Sequence, residues 1–162
     1  MIFYGEILRR YKQEIKDQTQ LEAILKSTNI VRIAMMDGDM PYIVPLNYGY
    51  NNNCLYIHCA SEGKKLNLLR ANNQVCFEVE DSVKIIDGDK ACKWTASFKS
   101  IIGYGEVEII EDNQQKIKAL KILMTHFGAP HQHEFEEKHV KVTTILKLKI
   151  IEMKGKLSKD LL

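Results

Sequence analysis

Apolar and polar positions along the chain change period several times, and each change predicts an element. Ile7, Leu8, Tyr11 and Ile15 recur at helix-like intervals in the mixed-charge stretch from Glu6 to Lys16, so residues 1–14 are expected to form an arm or a loose helix. Asp17 followed by Gln20 has capping-box spacing, and Leu21, Ile24 and Leu25 share one face of a short helix ending near Ser27-Thr28-Asn29. From Asn29 the period becomes two. Val31, Ile33 and Met35 alternate with Arg32, Ala34 and Met36 up to Asp37-Gly38-Asp39, the pattern of a strand entering a hairpin. The return strand carries Tyr42, Val44, Leu46, Tyr48 and Tyr50 on one face. Its Pro45, which lacks an N–H, fits only an edge, a bulge or a ligand contact. Asn51-Asn52-Asn53 turns the chain into a third strand, Cys54 to Cys59, with Leu55 and Ile57 opposite Tyr56 and His58.

Ser61-Glu62-Gly63 opens a short helix over Lys64 to Ala71, followed by a strand from Gln74 to Glu80. Asp81 to Lys93 reads as a variable loop or irregular hairpin. Phe98 to Glu111 is a long strand in which Gly103 and Gly105 predict a bulge or sharp bend. Asp112 and Gln115 repeat the capping spacing ahead of a helical face of Ile117, Leu120, Leu123, Met124 and Phe127, which stops at Gly128 and Pro130. A His-rich, acidic loop then precedes a final strand from Val142 to Ile151 and a basic tail. The sum is a mainly β fold with helices, a six-stranded antiparallel barrel forming one domain over residues 1–162.

Composition narrows the function. With 23 Lys and Arg against 21 Asp and Glu, the net charge of +2 over 162 residues is too balanced for a general nucleic-acid or membrane surface. No apolar run approaches the ~18 residues of a membrane span. The first residues have neither a basic opening nor a cleavable apolar stretch, so a cytoplasmic protein is expected. Cys54, Cys59, Cys76 and Cys92 form no C-x-x-C pair and are expected to be reduced thiols.

The densest chemistry lies in His58-Cys59-Ala60-Ser61-Glu62-Gly63-Lys64-Lys65, where a strand hands over to a helix. Free N–H groups at a helix start and adjacent ammonium groups suit a phosphorylated ligand, although many solvated helix starts have the same composition. His58 suits proton delivery or a half-buried structural hydrogen bond. His126, His131, His133 and His139 gather with Glu134, Glu136 and Glu137, but their spacing favours a solvated loop, and no metal is expected. Gly103-Tyr104-Gly105 lies within a strand, and no Walker loop, nucleophile elbow or dinucleotide fingerprint is present.

In order along the chain, several blocks are similar to one family. They are Ile24-Leu25; Asp37-Gly38 with Pro41-Tyr42-Ile43-Val44-Pro45-Leu46-Asn47-Tyr48; Tyr56-Ile57-His58-Cys59-Ala60 with Gly63-Lys64-Lys65; Val75-Cys76-Phe77; and Ser100-Ile101-Ile102-Gly103-Tyr104-Gly105. The sequence resembles the FMN-binding split-barrel proteins related to pyridoxamine 5'-phosphate oxidase, within them the nitroimidazole-resistance (Nim) branch. The resemblance spans roughly residues 15–155 and leaves the N-terminal dozen residues and the His-rich loop unexplained.

It implies a Greek-key split barrel that binds FMN in a groove between two subunits of a homodimer and reduces small electrophiles such as nitroimidazoles. The phosphate would lie against Lys64, Lys65 and Ser100, and Ser61 and Ile101 would be further cofactor-binding residues. Val44, Pro45, Leu46, Asn47 and Tyr48 would run beside the isoalloxazine ring, His58 would be the catalytic histidine, and Trp94 would approach the site. Phe98 stands where the family often has Tyr and Lys64 where it often has Arg, which replaces a planar fork with a point charge. A non-enzymatic FMN or small-ligand module, or a haem or deazaflavin binder on the same barrel, are the alternatives.

Overall fold

The computed structural model describes residues 11–129, 134–158 and 161. A 3-10 turn at Tyr11–Gln13 and strand β1 (Glu14–Ile15) lead into helix α1 (Gln18–Ser27), the hairpin β2 (Ile30–Asp37) and β3 (Met40–Asn47), the short β4 (Gly49–Asn51) and β5 (Cys54–Ala60). Helix α2 (Lys64–Ala71) precedes the long hairpin β6 (Gln74–Ile86) and β7 (Thr95–Ile110). Helices α3 (Asn113–His126) and α4 (Glu137–Val142) lead to the last strand, β8 (Thr143–Leu157).

The strands pair antiparallel in the order β3-β2-β6-β7-β8-β5-β4, with β1 added to β8. β3 and β4 stand at opposite ends of that order, yet only Tyr48 separates them in the chain, so the sheet closes on itself there. Counted this way, β3 and β4 are one bent ribbon and β1 is a two-residue stub, which leaves the six principal strands that the periodicity predicts. Alternation sends Val31, Ile33, Val79, Phe77, Ile101, Leu55, Ile57, Leu146 and Leu148 into one core. Helices close the barrel with their own apolar stripes, Leu21, Ile24 and Leu25 from α1, and Leu66 and Leu69 from α2. Helix α3 instead covers part of the outer face, where Ala119 and Leu123 bury Ile110 and Ile145. Among the described residues no helix is long and apolar enough to cross a membrane.

Local chemistry explains most element ends. Asp17 caps α1 by accepting from the Thr19 N–H (2.9 Å) and hydroxyl (2.6 Å), and those bonds hold its carboxyl below the usual carboxylate range. Asp112 caps α3 through the Gln115 N–H at 2.9 Å. The expected irregularity at the paired glycines is a register shift against β8: Tyr104 pairs with Glu152 but Gly105 with Ile150, so Ile151 is the extra residue. Gly103 answers a different demand. A Cβ there would come within 2.5 Å of the Phe77 ring, so its hydrogen is what lets that ring fill the core.

Of the two readings of Asp81 to Lys93, the irregular hairpin is the one found: Asp81 to Ile86 is the second half of β6, Lys84 to Ile86 pair with Thr95–Ser97 beyond a bulge, and Ser82, at φ +57°, breaks the alternation. Three expectations need correcting. Asp112 to Val142 holds two helices, because Glu137–Val142 coils around the single buried anchor Val140. The basic tail is strand as far as Leu157: its outward residues are Glu152, Lys154 and Lys156, and Gly155 interrupts the inward row between Met153 and Leu157, so the apolar signal is weak. Glu14–Ile15, assigned partly to a helical arm, instead extends β8. The rest of that arm, residues 1–10, and His131 and His133 of the His-rich loop lie outside the described residues.

The seam at Tyr48 is heavily bonded. Its ring is fully buried, its N–H donates to the Asn29 carbonyl (3.1 Å), and its hydroxyl donates to the Leu25 carbonyl (2.8 Å) while sharing a bond with the Thr28 hydroxyl (2.6 Å). His126, at the end of α3, joins the same seam. The Tyr50 N–H donates to its Nδ1 (3.3 Å), which leaves Nε2 to donate to the Thr28 carbonyl (2.7 Å). Desolvation pushes the Tyr48 hydroxyl up to about 12, against the opposing Thr28 bond. Folding therefore favours its neutral form, and that stability is complete below the unfolded value near 10 and is lost as pH rises towards 12. Urea unfolding between pH 8 and pH 12 should show a loss of stability above pH 10 that is smaller in Tyr48→Phe. At pH 7 the same substitution should cost about 1 kcal/mol, because Thr28 and Leu25 lose a partner.

Candidate functional site

A split in the barrel gathers most of the chemistry. Among the described residues β3 pairs only with β2, and β5 only with β8 and, through Cys54–Tyr56, with β4. β3 and β5 approach each other with no ladder between them. The outer edge of β3 thus keeps its N–H and C=O groups for another partner, and Pro45, which has no N–H, sits on this edge strand as its chemistry requires. Val44 and Leu46 are half-buried toward the core, whereas Pro45 and Asn47 are exposed. His58 stands exposed on β5, facing outward opposite Ile145.

Helix α2 begins at the mouth of the split. Gly63, its N-cap, has φ +126°, a conformation that side chains disfavour, and makes no side-chain cap; the first turn holds no acid. The N–H groups of Leu66 and Asn67 bond to the Gly63 carbonyl, so the N–H groups of Lys64 and Lys65 precede the helix ladder. Lys64 is exposed. Its ammonium pairs with Asp37 at 2.5 Å and lies 4.7 Å from the centre of the Tyr42 ring, tying α2 to the tip of the β2–β3 hairpin. The bond to Asp37 is the main reason its proton is held more tightly than usual. Lys65 is half-buried. It partly offsets the rise that burial imposes on the Cys59 thiol, which keeps that cysteine protonated and unreactive. Ser61 is exposed in the bend before the helix.

Val44, Pro45, Leu46 and Asn47 thus lie on β3, His58 on β5, Ser61 in the bend after β5, and Lys64 and Lys65 in the first turn of α2, which the pair with Asp37 joins to the β2–β3 hairpin. Two other expected contacts have no side-chain atom to offer there: Tyr48 is spent in the seam, and Ile101 is fully buried in the core. Ser100 and Trp94 lie elsewhere. Ser100 is half-buried in β7 between Glu80 and Lys156, and Trp94 is 57% exposed beside the turn joining β6 to β7. On β8, the partner of Ser100 (Lys156) is eleven residues beyond the partner of His58 (Ile145), roughly 30 Å of strand. Asp37 and Tyr42 were missed as site residues. Their signal was present only as a hairpin, since nothing in the spacing shows that the turn reaches α2.

A second concavity lies on the outer face. Register places Ile43, Ala34, Cys76, Tyr104 and Glu152 in one cross-strand row from β3 to β8. A groove of about 610 Å³ follows that row, with Met36 and Ile151 also in its lining. Ile43, Ile102 and Ile151 are each at least half exposed around it. Among the described residues no group of three His, Cys, Asp or Glu is placed to hold a metal ion.

Comparison with known proteins fits this geometry. A sequence model described as pyridoxamine 5'-phosphate oxidase matches residues 17–157. A crystal structure of a Bacteroides thetaiotaomicron protein proposed to confer 5-nitroimidazole antibiotic resistance is 31% identical, with a TM-score of 0.78 over 88% of this chain and 85% of that one. The FAD and heme binding protein of Mycobacterium smegmatis shares the fold with a TM-score of 0.82 at 18% identity, covering 91% of this chain and 74% of that one. An uncharacterized Rhizobium meliloti protein, RA0666, is 28% identical over 68 residues, which is 41% of this chain and 44% of the relative.

Proposed function

The chain belongs to the pyridoxamine 5'-phosphate oxidase family, and on that premise we propose that it is an FMN-binding oxidoreductase acting on small electrophiles of the nitroimidazole type. The observation that carries the reading is the meeting, at one split, of an open strand edge with a helix start that bears two ammonium groups and no acid of its own. A flavin nucleotide needs both: main-chain donors and acceptors along its ring, and a cationic pocket for its phosphate. Lys64, Lys65 and Ser61 would hold the phosphate, and the backbone of Val44 to Asn47 the ring. The 5-nitroimidazole resistance ascribed to the Bacteroides protein supports the substrate class, and the FAD binding of the Mycobacterium protein supports a flavin ligand.

When bound, the flavin supplies electron or hydride transfer. What the chain adds is position and protons. β3 is held by its ladder to β2 and by the Tyr48 seam, so its edge is a fixed rail. His58, exposed beside that rail, orients the electrophile or gives it a proton.

A homodimer belongs to the proposal. Ser100 and Trp94 lie far along the ribbon from His58 in the same protomer, and the proposal draws them instead from a second copy seated on the outer face. Ile43, Ile102 and Ile151, each at least half exposed there, are the apolar side chains such a contact would cover.

Purified protein should carry, or take up, a yellow flavin. A Soret band in place of the flavin spectrum would indicate haem instead, and a colourless protein that ignores added FMN would overturn the reading. Replacing Lys64 and Lys65 together by Ala should weaken FMN binding about a hundredfold or more, from the roughly 1.5–3 kcal/mol of each charged hydrogen bond. His58→Ala should retain FMN and lower turnover of a nitroimidazole by about a hundredfold or more; a parent protein with no turnover at all supports a binding module. Light scattering should give twice the 18.7 kDa chain mass, and a charged residue at Ile102 should convert the particle to a monomer.

A further inference from the structure

The ion pair between Asp37 and Lys64 is unexplained by the fold alone. Both side chains are about half exposed, at 43% and 53%, where an isolated pair contributes little to stability. Yet the pair sits on one of the two ammonium groups at the start of α2. Asp37 is the last residue of β2, directly before the two-residue turn of the hairpin, so its backbone is fixed by the ladder to Met40. From there its carboxylate reaches Lys64, and the Tyr42 ring, two residues into the returning strand, receives the same ammonium at 4.7 Å. Lys64 is thus held between an anion and an aromatic face rather than left free in solvent. The helix itself supplies no acid to do this, and its Gly63 cap has no side chain.

We propose that Asp37 is an internal counter-anion, competing with the phosphate of a bound flavin nucleotide for Lys64 and so setting the preference of the site for phosphorylated over unphosphorylated flavin. This rests on the FMN reading above and concerns the regulation of that same site. The sign follows from charge. A phosphate monoester arriving at Lys64 either takes the ammonium and leaves the Asp37 carboxylate unpaired beside a dianion, or shares the ammonium with it; both arrangements bind the dianion less well than a neutral residue would. The exposure of the pair makes the displacement inexpensive, so Asp37 loosens the nucleotide rather than excluding it. The ring of the flavin carries no phosphate charge and lies outside this competition. Asp37 therefore makes the nucleotide exchangeable, while the β3 edge, which reads the ring, is left unaltered.

The test compares FMN with riboflavin, which shares the ring and lacks the phosphate. The full-length parent, Asp37→Asn and Asp37→Glu are dialysed free of flavin and titrated with each by fluorescence quenching at constant ionic strength. Asp37→Asn should bind FMN about threefold to fivefold tighter, the range an exposed ion pair permits, and riboflavin within twofold of the parent. Asp37→Glu, which keeps the charge, should behave as the parent. Glu62→Gln, which removes one negative charge nearby without altering the pair, should change FMN affinity less than twofold. Unchanged or weaker FMN binding by Asp37→Asn overturns the proposal, as does an equal change for riboflavin or an equal gain from Glu62→Gln. In those cases FMN still binds and the flavin reading stands. Failure of every protein, the parent included, to take up FMN overturns both.

Discussion

An antiparallel sheet has two edges whose backbone groups must find partners, and here those edges belong to strands that the chain joins through a single residue. Tyr48 is that residue. Burying its ring and satisfying both its N–H and its hydroxyl within the α1–β2 connection pins β3 to one side of the barrel and β4 to the other. His126 adds a second fixing from α3, with both ring nitrogens engaged. Everything that follows in the chain is arranged around this closure. Because β3 and β4 diverge from Tyr48, one edge of β3 has no ladder among the described residues, and the start of α2 meets the tip of the β2–β3 hairpin through Lys64 and Asp37.

The same constraint gives the candidate site its rigidity. β3 is held along all eight residues by its ladder to β2. The β2–β3 tip is in turn joined to α2 by the pair between Asp37 and Lys64. The ammonium groups, the β3 edge and His58 are therefore set by three different elements, whose relative positions depend on barrel closure rather than on any local motif. The outer face has a separate logic. Arg32 bridges Glu78 and Glu80 across β2 and β6, a polar cluster beside the row that runs from Ile43 to Tyr104.

What the sequence by itself determined was whatever depends on near neighbours in the chain. Period-two alternation in Val31 to Met35 and in Gln74 to Glu80, the Asp caps of α1 and α3, and the strand-to-helix handover at Gly63-Lys64-Lys65 were all legible, because side-chain direction and capping act within a few residues. The ordered blocks that link it to its family were legible for the same reason. Tertiary structure alone decided the rest. Strand character in Ser82 to Ile86 and in Glu152 to Leu157 comes from partners far away in the chain, not from local apolar pattern, and a bulge or an inward glycine erases the pattern there. That Tyr48 is spent in the seam, that Ser100 lies far from His58, and that Asp37 reaches Lys64 are consequences of register and closure. Hydrogen bonds between strands set which residues meet, and no period along a single strand records its partner's alignment.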